Sequence, residues 1–209
     1  MPLTEGMHSG EFLLSLANEF RSRENIVVAT GQTLQPGTVI GFLTALNAPT
    51  AASGNVGNGA ITVHGIGAGA RVGNYSVVFT TTGATAAFTV RAPDGALVGT
   101  GAVGTRFTNG GIDITIADGA ADWTAGDKLA FPVARGAAKA WDPANSDGSE
   151  TVGGIIIDYC DASAGAKRSA AVVRDATVNA RHLMYKSGLT AANKETAKTG
   201  LRALGIIPD

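Results

Sequence analysis

The feature that most constrains this chain is a change of pattern in its middle. Between about Ala45 and Arg135, apolar residues recur at every second position: Tyr75, Val77 and Phe79, then Phe88 and Val90, then Ile112, Ile114 and Ile116, then Leu129, Phe131 and Val133. A period of two puts each set on one face of a half-buried strand. Between the sets, Pro93-Asp94-Gly95 and Asn109-Gly110-Gly111 supply residues that accept the backbone angles of tight hairpin turns. Short strands at roughly ten-residue spacing predict a small antiparallel sandwich. Composition agrees: 29 of the 209 residues are Gly and only 16% are charged, against about 25% in an average soluble protein. With 44% hydrophobic residues, the chain has enough apolar mass to fill a core at this length.

The flanking zones have a different, mixed texture. Before the sandwich come the β-branched run Ile26-Val27-Val28, the turn signal Leu34-Gln35-Pro36-Gly37 and a second strand from Thr38 to Leu43. After it come an acidic loop from Asp142 to Gly148, the apolar strand Ile155-Ile156-Ile157 and the strand Ala171-Val172-Val173. Thr190 is placed to cap a C-terminal helix, with Ala197, Leu201 and Leu204 on one face and Gly205 at its end. The outer zones resemble each other more than either resembles the middle. The expected organisation is therefore one discontinuous domain, residues 1–44 and 137–209, interrupted by an inserted domain of residues 45–136.

Charge excludes one class of partner. With 16 basic and 17 acidic residues the net charge is −1, so no field exists to drive counterion release from nucleic acid, and no nucleic-acid partner is expected. No apolar run nears the eighteen or so residues that cross a bilayer, and the N-terminus has no positive lead-in to an apolar stretch, so neither a membrane partner nor a secretory leader is expected. The single cysteine, Cys160, excludes an internal disulfide and multi-cysteine zinc sites and reads as a part-buried structural thiol. His8, His64 and His182 have no second ligand at metal spacing, so no metal and no cofactor is expected.

Several spellings have duller readings than their chemistry suggests. Gly99-Thr100-Gly101-Ala102-Val103-Gly104 matches a dinucleotide fingerprint, but the residues after it read as strand and turn rather than the helix that would hold a pyrophosphate. Asn145, Asp147, Gly148 and Glu150 suggest a calcium loop, yet Pro143 stands at its first ligand position and no Glu closes it, which favours a solvated turn. Asn74-Tyr75-Ser76 is a glycosylation sequon in spelling and reads as a strand start. Arg21-Ser22-Arg23, flanked by Glu19 and Glu24, reads as a local ion-pair cluster. Phe12-Leu13-Leu14 has no apolar partner in its own segment. It is either core or part of an arm that adds a strand to another chain's sheet.

Taken in order, Gly10-Glu11-Phe12-Leu13-Leu14-Ser15, Ala17-Asn18, Arg21-Ser22-Arg23-Glu24 and Leu34-Gln35-Pro36-Gly37-Thr38-Val39-Ile40-Gly41 resemble the start of the lambda-type head decoration proteins of tailed bacteriophages. The second half resumes the pattern with Asp142-Pro143-Ala144, Asp147-Gly148-Ser149-Glu150-Thr151, Val152-Gly153-Gly154-Ile155, Val172-Val173-Arg174-Asp175-Ala176, Gly188-Leu189-Thr190 and Leu204-Gly205-Ile206. The resemblance covers about residues 10–44 and 139–207 and leaves the middle as an insertion, which itself resembles the immunoglobulin-like or other antiparallel β-sandwich modules grafted onto phage surface proteins.

That resemblance implies a mainly β, β-clip-like decoration domain with a short C-terminal helix. It implies a homotrimer on the outer surface of the expanded capsid of the virion, at three-fold and quasi-three-fold positions, that stabilises the shell against packaged DNA. The implied partners are the major capsid protein and two further copies of the chain. Within an N-terminal arm of residues 1–20, the resemblance places the capsid contact on Gly10, Glu11, Phe12, Leu13, Leu14, Ser15, Leu16 and Ala17.

Two other functions belong to different classes. The insertion could be an adhesion or carbohydrate-binding module that meets a host-surface glycan, for which Tyr75, Phe107 and Trp123 are the large aromatic candidates, although Tyr75 reads as inward-facing. An enzyme would rest on Cys160, Asp175 and His182 as nucleophile, orienter and base, a trio that any chain of this length offers. No enzymatic activity is expected.

Overall fold

Strand dominates the computed structural model, which describes residues 6–67 and 69–209 and is about 45% strand and 10% helical. The chain divides into two units, Met1–Leu43 with Gly136–Asp209, and Thr44–Arg135. In chain order the first stretch carries β1 (Leu13–Leu16), the short α1 (Glu19–Ser22), β2 (Arg23–Val28), β3 (Gln32–Leu34) and β4 (Val39–Leu46). Next come β5 (Thr50–Ala51), β6 (Ile61–Ile66), β7 (Gly73–Phe79), β8 (Ala87–Arg91), β9 (Leu97–Ala102), β10 (Arg106–Asn109), β11 (Ile112–Ile116) and β12 (Lys128–Ala140). The chain ends with β13 (Val152–Ile156), β14 (Cys160–Ala162), β15 (Lys167–Val172), β16 (Ala176–Val178), α2 (Ala191–Ala203) and β17 (Ile206–Pro208).

The second unit is an antiparallel sandwich. One layer runs β10-β11-β6, and the other runs β12-β7-β8-β9 with β5 added on β12. This is the strand order of an immunoglobulin-type sandwich in which β5 takes the place of the last strand. The alternating residues face inward as their spacing requires: Tyr75, Val77, Phe79, Phe88, Val90, Phe131 and Val133 meet Ile112, Ile114 and Ile116 in one buried cluster. The hairpin between β10 and β11 turns on Gly110 and Gly111, both at positive φ (55° and 77°), as a two-residue loop compatible with strand twist demands. Trp123 is fully buried, stacked on Phe79 with ring centroids 4.3 Å apart, and its Nε1 donates to the Ala117 carbonyl at 3.0 Å.

The glycine fingerprint has a packing explanation. Gly99 and Gly101 lie within β9, and a Cβ on Gly101 would stand 2.6 Å from the Phe88 ring and 3.2 Å from the Phe107 ring. Two aromatic side chains therefore occupy the space that side chains on β9 would need. No helix follows, because β10 begins at Arg106.

The first unit is built from both ends of the chain. Strands β2, β15, β13 and β4 follow one another as antiparallel neighbours. The C-terminal half of β12 lies beside β4, where the Trp141 N–H donates to the Val39 carbonyl at 2.9 Å and Gly136 lies against Leu43. A parallel bridge from Ala138 to Val28 closes this set into a small barrel. Ile26, Val28, Ile40, Phe42, Ile156, Ala171 and Val173 belong to its core. A second cluster gathers Phe12, Val39, Trp141, Ile155, Val178, Leu201 and Ile206 beneath the three-stranded sheet β1-β16-β17 and α2. Thr190 caps α2 by accepting from the Asn193 N–H at 3.2 Å, and Ala197 and Leu201 are buried on its inner face.

Candidate functional site

The segment singled out by sequence, Gly10 to Ala17, is fastened to its own chain. Gly10 sits at φ 73° and its N–H donates to the Ile157 carbonyl at 3.2 Å, while Glu11 accepts from the His8 N–H at 2.9 Å. Phe12 is fully buried in the second cluster, and its carbonyl accepts from the Asn179 N–H at 2.7 Å. Leu13, Ser15 and Leu16 pair antiparallel with Val178, Thr177 and Ala176, and Ala17 donates to the Asp175 carbonyl at 3.0 Å. Of the two readings of Phe12-Leu13-Leu14, Phe12 thus takes the core one, with a partner some 165 residues away in sequence. Its neighbour does the opposite. Leu14 is the extra residue where the β1–β16 register shifts, and it is 54% exposed.

An outward-facing surface remains around β1. The order β1-β16-β17 leaves β1 at a sheet edge, with its outer backbone groups unpaired by any described strand. On the outer face Ser15, Thr177 and Ile207 stand in one row, and Ile207 is 55% exposed. A groove of about 420 Å³ is lined by Leu16, Ala17, Arg21, Asp175, Thr177 and Ile207 among others. Residues 1–5 of the expected arm lie outside the described residues.

Next to the groove, α1 presents Phe20 at 93% exposure, more than any other large apolar side chain described. The turn that carries it is tightly held. Asn18 caps it by accepting from the Phe20 and Arg21 N–H groups, and Ser22 Oγ donates to the Asp175 carbonyl at 2.9 Å. Arg21 pairs with the Asp175 carboxylate at 2.8 Å, Arg23 with Glu19 at 3.2 Å and Arg174 with Glu24. Exposed pairs of this kind are worth about 0–1 kcal/mol each, so their effect here is to fix geometry. Sequence reading found the ion-pair cluster but missed Asp175 and Arg174 as its partners, and it missed Phe20. The signal for Phe20 was its place between two charges, Glu19 and Arg21, with no strand or helix pattern to take it inward.

Other candidates dissolve in the geometry. Tyr75, Phe107 and Trp123 are all buried, at 1%, 5% and 0% exposure, so none offers a ring face to a sugar. Cys160 is buried in the barrel core, where burial pushes its thiol pKa up, away from a reactive thiolate. Asp175 is committed to Arg21, and His182 Nδ1 faces the Glu11 carbonyl, so the three residues of the supposed triad have separate partners. In the acidic loop, Asp147 pairs with Lys139 and Ser149, and Glu150 accepts from the Gly148 N–H, so these two carboxylates have partners within the chain.

One charge of that loop carries a pH dependence. Asp142, 8% exposed, binds Lys186 and accepts from the Ala144 N–H, and these two donors hold its carboxyl below the usual range. A carboxyl lowered on folding stabilises the fold above its unfolded value of about 3.9, and that contribution is lost as pH falls through the folded value. Denaturant unfolding of wild type and Asp142→Asn should therefore differ at pH 7 and converge below about pH 4. A gap that persists unchanged into acid would assign the effect to packing instead.

A model of the family described as bacteriophage lambda head decoration protein D matches residues 2–206. No curated protein matches the chain. Among solved structures, FlgL of Xanthomonas campestris in two crystal forms is similar at 21% and 22% identity, each with a TM-score of 0.33. The similar regions cover 54% and 51% of this chain and 34% and 31% of those, so the chain spans about a third of their length.

Proposed function

Because the chain belongs to the bacteriophage lambda head decoration protein D family, we propose that it is a cement subunit which trimerises on the outer surface of the expanded capsid, at three-fold and quasi-three-fold positions, and stiffens the shell against packaged DNA. A head decoration protein is a structural component of the virion that associates with the capsid. The finer reading gives the first unit, Met1–Leu43 with Gly136–Asp209, the task of binding, and makes Thr44–Arg135 an inserted module.

The observation that carries the docking assignment is the open edge of β1. A strand with unpaired backbone groups, bearing an exposed Leu14 at the sheet edge, is equipped to accept an extended segment of the major capsid protein by β-augmentation. Residues Gly10 to Ala17 then serve in two ways: Phe12 and Leu13 anchor the strand to its own core, and Leu14 with the outer backbone edge faces the partner. Binding only the expanded lattice stabilises that lattice by mass action, and three linked sites multiply the effect.

The test is light scattering of the purified protein followed by co-sedimentation with expanded capsids of its phage. A trimer that pellets with expanded capsids, and not with unexpanded ones, is expected. A monomer that stays in the supernatant would overturn the reading.

A further inference from the structure

We propose that Phe20 is the contact residue between copies of this chain, entering the groove between α1, β1 and β17 of the next protomer. The inference rests on the trimer reading above and adds the place of the contact. Three observations meet here. First, a Phe side chain is left 93% exposed on a turn that is rigidly mounted rather than loose: Asn18 caps it, and Ser22 and Arg21 tie it to Asp175. Second, Asp175, the residue that receives these bonds, is the only described non-glycine at positive φ (49°), a conformation that persists where the surroundings over-determine it. Third, the same chain carries the complement of the projection, a groove of about 420 Å³ with apolar walls from Leu16, Ala17 and Ile207.

The chemistry of the groove suits an aromatic ring. The Arg21 side chain lines it and is 73% exposed, with its guanidinium oriented by Asp175. A ring entering the groove would lie against that cation, and a cation–π contact strengthens as it is desolvated. A projection and a cavity at different places on one chain make a heterologous contact, which closes into a ring of identical subunits when the rotation allows. Since Phe20 and the groove-lining Arg21 are adjacent residues, the contact must lie near the rotation axis, where a small displacement suffices to carry the projection of one copy to the cavity of the next.

Phe20 makes no core contact in the single chain, so Phe20→Ala is expected to keep the wild-type circular dichroism spectrum. Light scattering over a dilution series should show a trimer for wild type, a dissociation concentration raised about tenfold or more for Phe20→Ala, and near-wild-type assembly for Phe20→Tyr. Mixed under oxidising conditions, Phe20→Cys chains and Ile207→Cys chains should give a covalent pair on a non-reducing gel. A Phe20→Ala trimer as resistant to dilution as wild type, with no cross-linked pair, would overturn the assignment while leaving the trimer standing. A Phe20→Ala trimer that no longer pellets with capsids would overturn it in favour of a capsid contact. A wild-type monomer would overturn the assignment and the trimer together.

Discussion

Phe12→Ala should cost the first unit about 3–5 kcal/mol, the range for deleting a fully buried aromatic side chain, while Leu14→Ser should cost it no more than about 0.5 kcal/mol, as for an ordinary surface change. The two residues are separated by one position and play opposite parts. Phe12 has no exposed surface and packs in the cluster that holds Trp141, Val178 and Leu201, and its carbonyl receives the Asn179 N–H. Removing its ring opens a cavity under β1 and loosens the pairing with β16. Leu14 bulges outward from the same strand. Denaturant unfolding should rank Phe12→Ala far below wild type with Leu14→Ser close to it, and capsid co-sedimentation should be weakened in both. Equal stability for Phe12→Ala would mean that the strand is not held as described. Undiminished capsid binding by Leu14→Ser would remove Leu14 from the docking surface.

The second large effect belongs to the other unit. Trp123→Ala should lower the stability of Thr44–Arg135 by about 3–5 kcal/mol and leave capsid binding unchanged. The ring is stacked on Phe79, and the segment around Gly57 closes over it, with the Val56, Gly57 and Thr124 N–H groups all donating to the Asp127 carboxylate at 2.9–3.0 Å. Burial raises the pKa of that carboxyl, but the three N–H donors outweigh the effect and hold it below the ordinary value. Loss of Trp123 therefore removes both a stacking partner and the floor on which this loop is built. Calorimetry should show one transition moving to lower temperature and one staying in place. If capsid binding fails along with the sandwich, docking does not reside in the first unit alone.

What could be read from sequence depended on how local the determinant was. Of the sandwich strands, β7, β8, β11 and β12 were legible because each shows its period of two within a few residues, whereas β5 and β6 were not read. The helix was legible from Thr190 and the spacing of Ala197 and Leu201. The strands of the first unit were found at their apolar centres, but their lengths were not: the run at Ile26 extends back to Arg23, and the one at Thr38 runs on to Leu46. The three-residue strands β3, β14, β16 and β17 were missed, since so short a segment has no period and exists only because a distant partner satisfies its backbone. The candidate site shows the same division. Phe12-Leu13-Leu14 stood out as unpartnered, yet its partner is β16, and only the fold reveals which of the three residues points inward. Phe20 was passed over because its place between Glu19 and Arg21 marks it as outward-facing without showing what it would meet.

The chain leaves the first unit at Leu43 and returns at Gly136, two residues that lie against each other. This geometry sets an order of events during synthesis. The sandwich is one continuous stretch of sequence and can form as soon as it emerges, whereas β2 must wait for β15, which pairs Val28 with Lys167. Closing a loop of that length in an unfolded chain is entropically costly, and contacts of high sequence separation slow folding. Once folded, the unit Thr44–Arg135 brings its own ends together and shortens the distance that the flanking halves must search. It would thus serve the first unit as an internal splint, and the expected slow step in folding is the meeting of the two outer segments around a unit already formed.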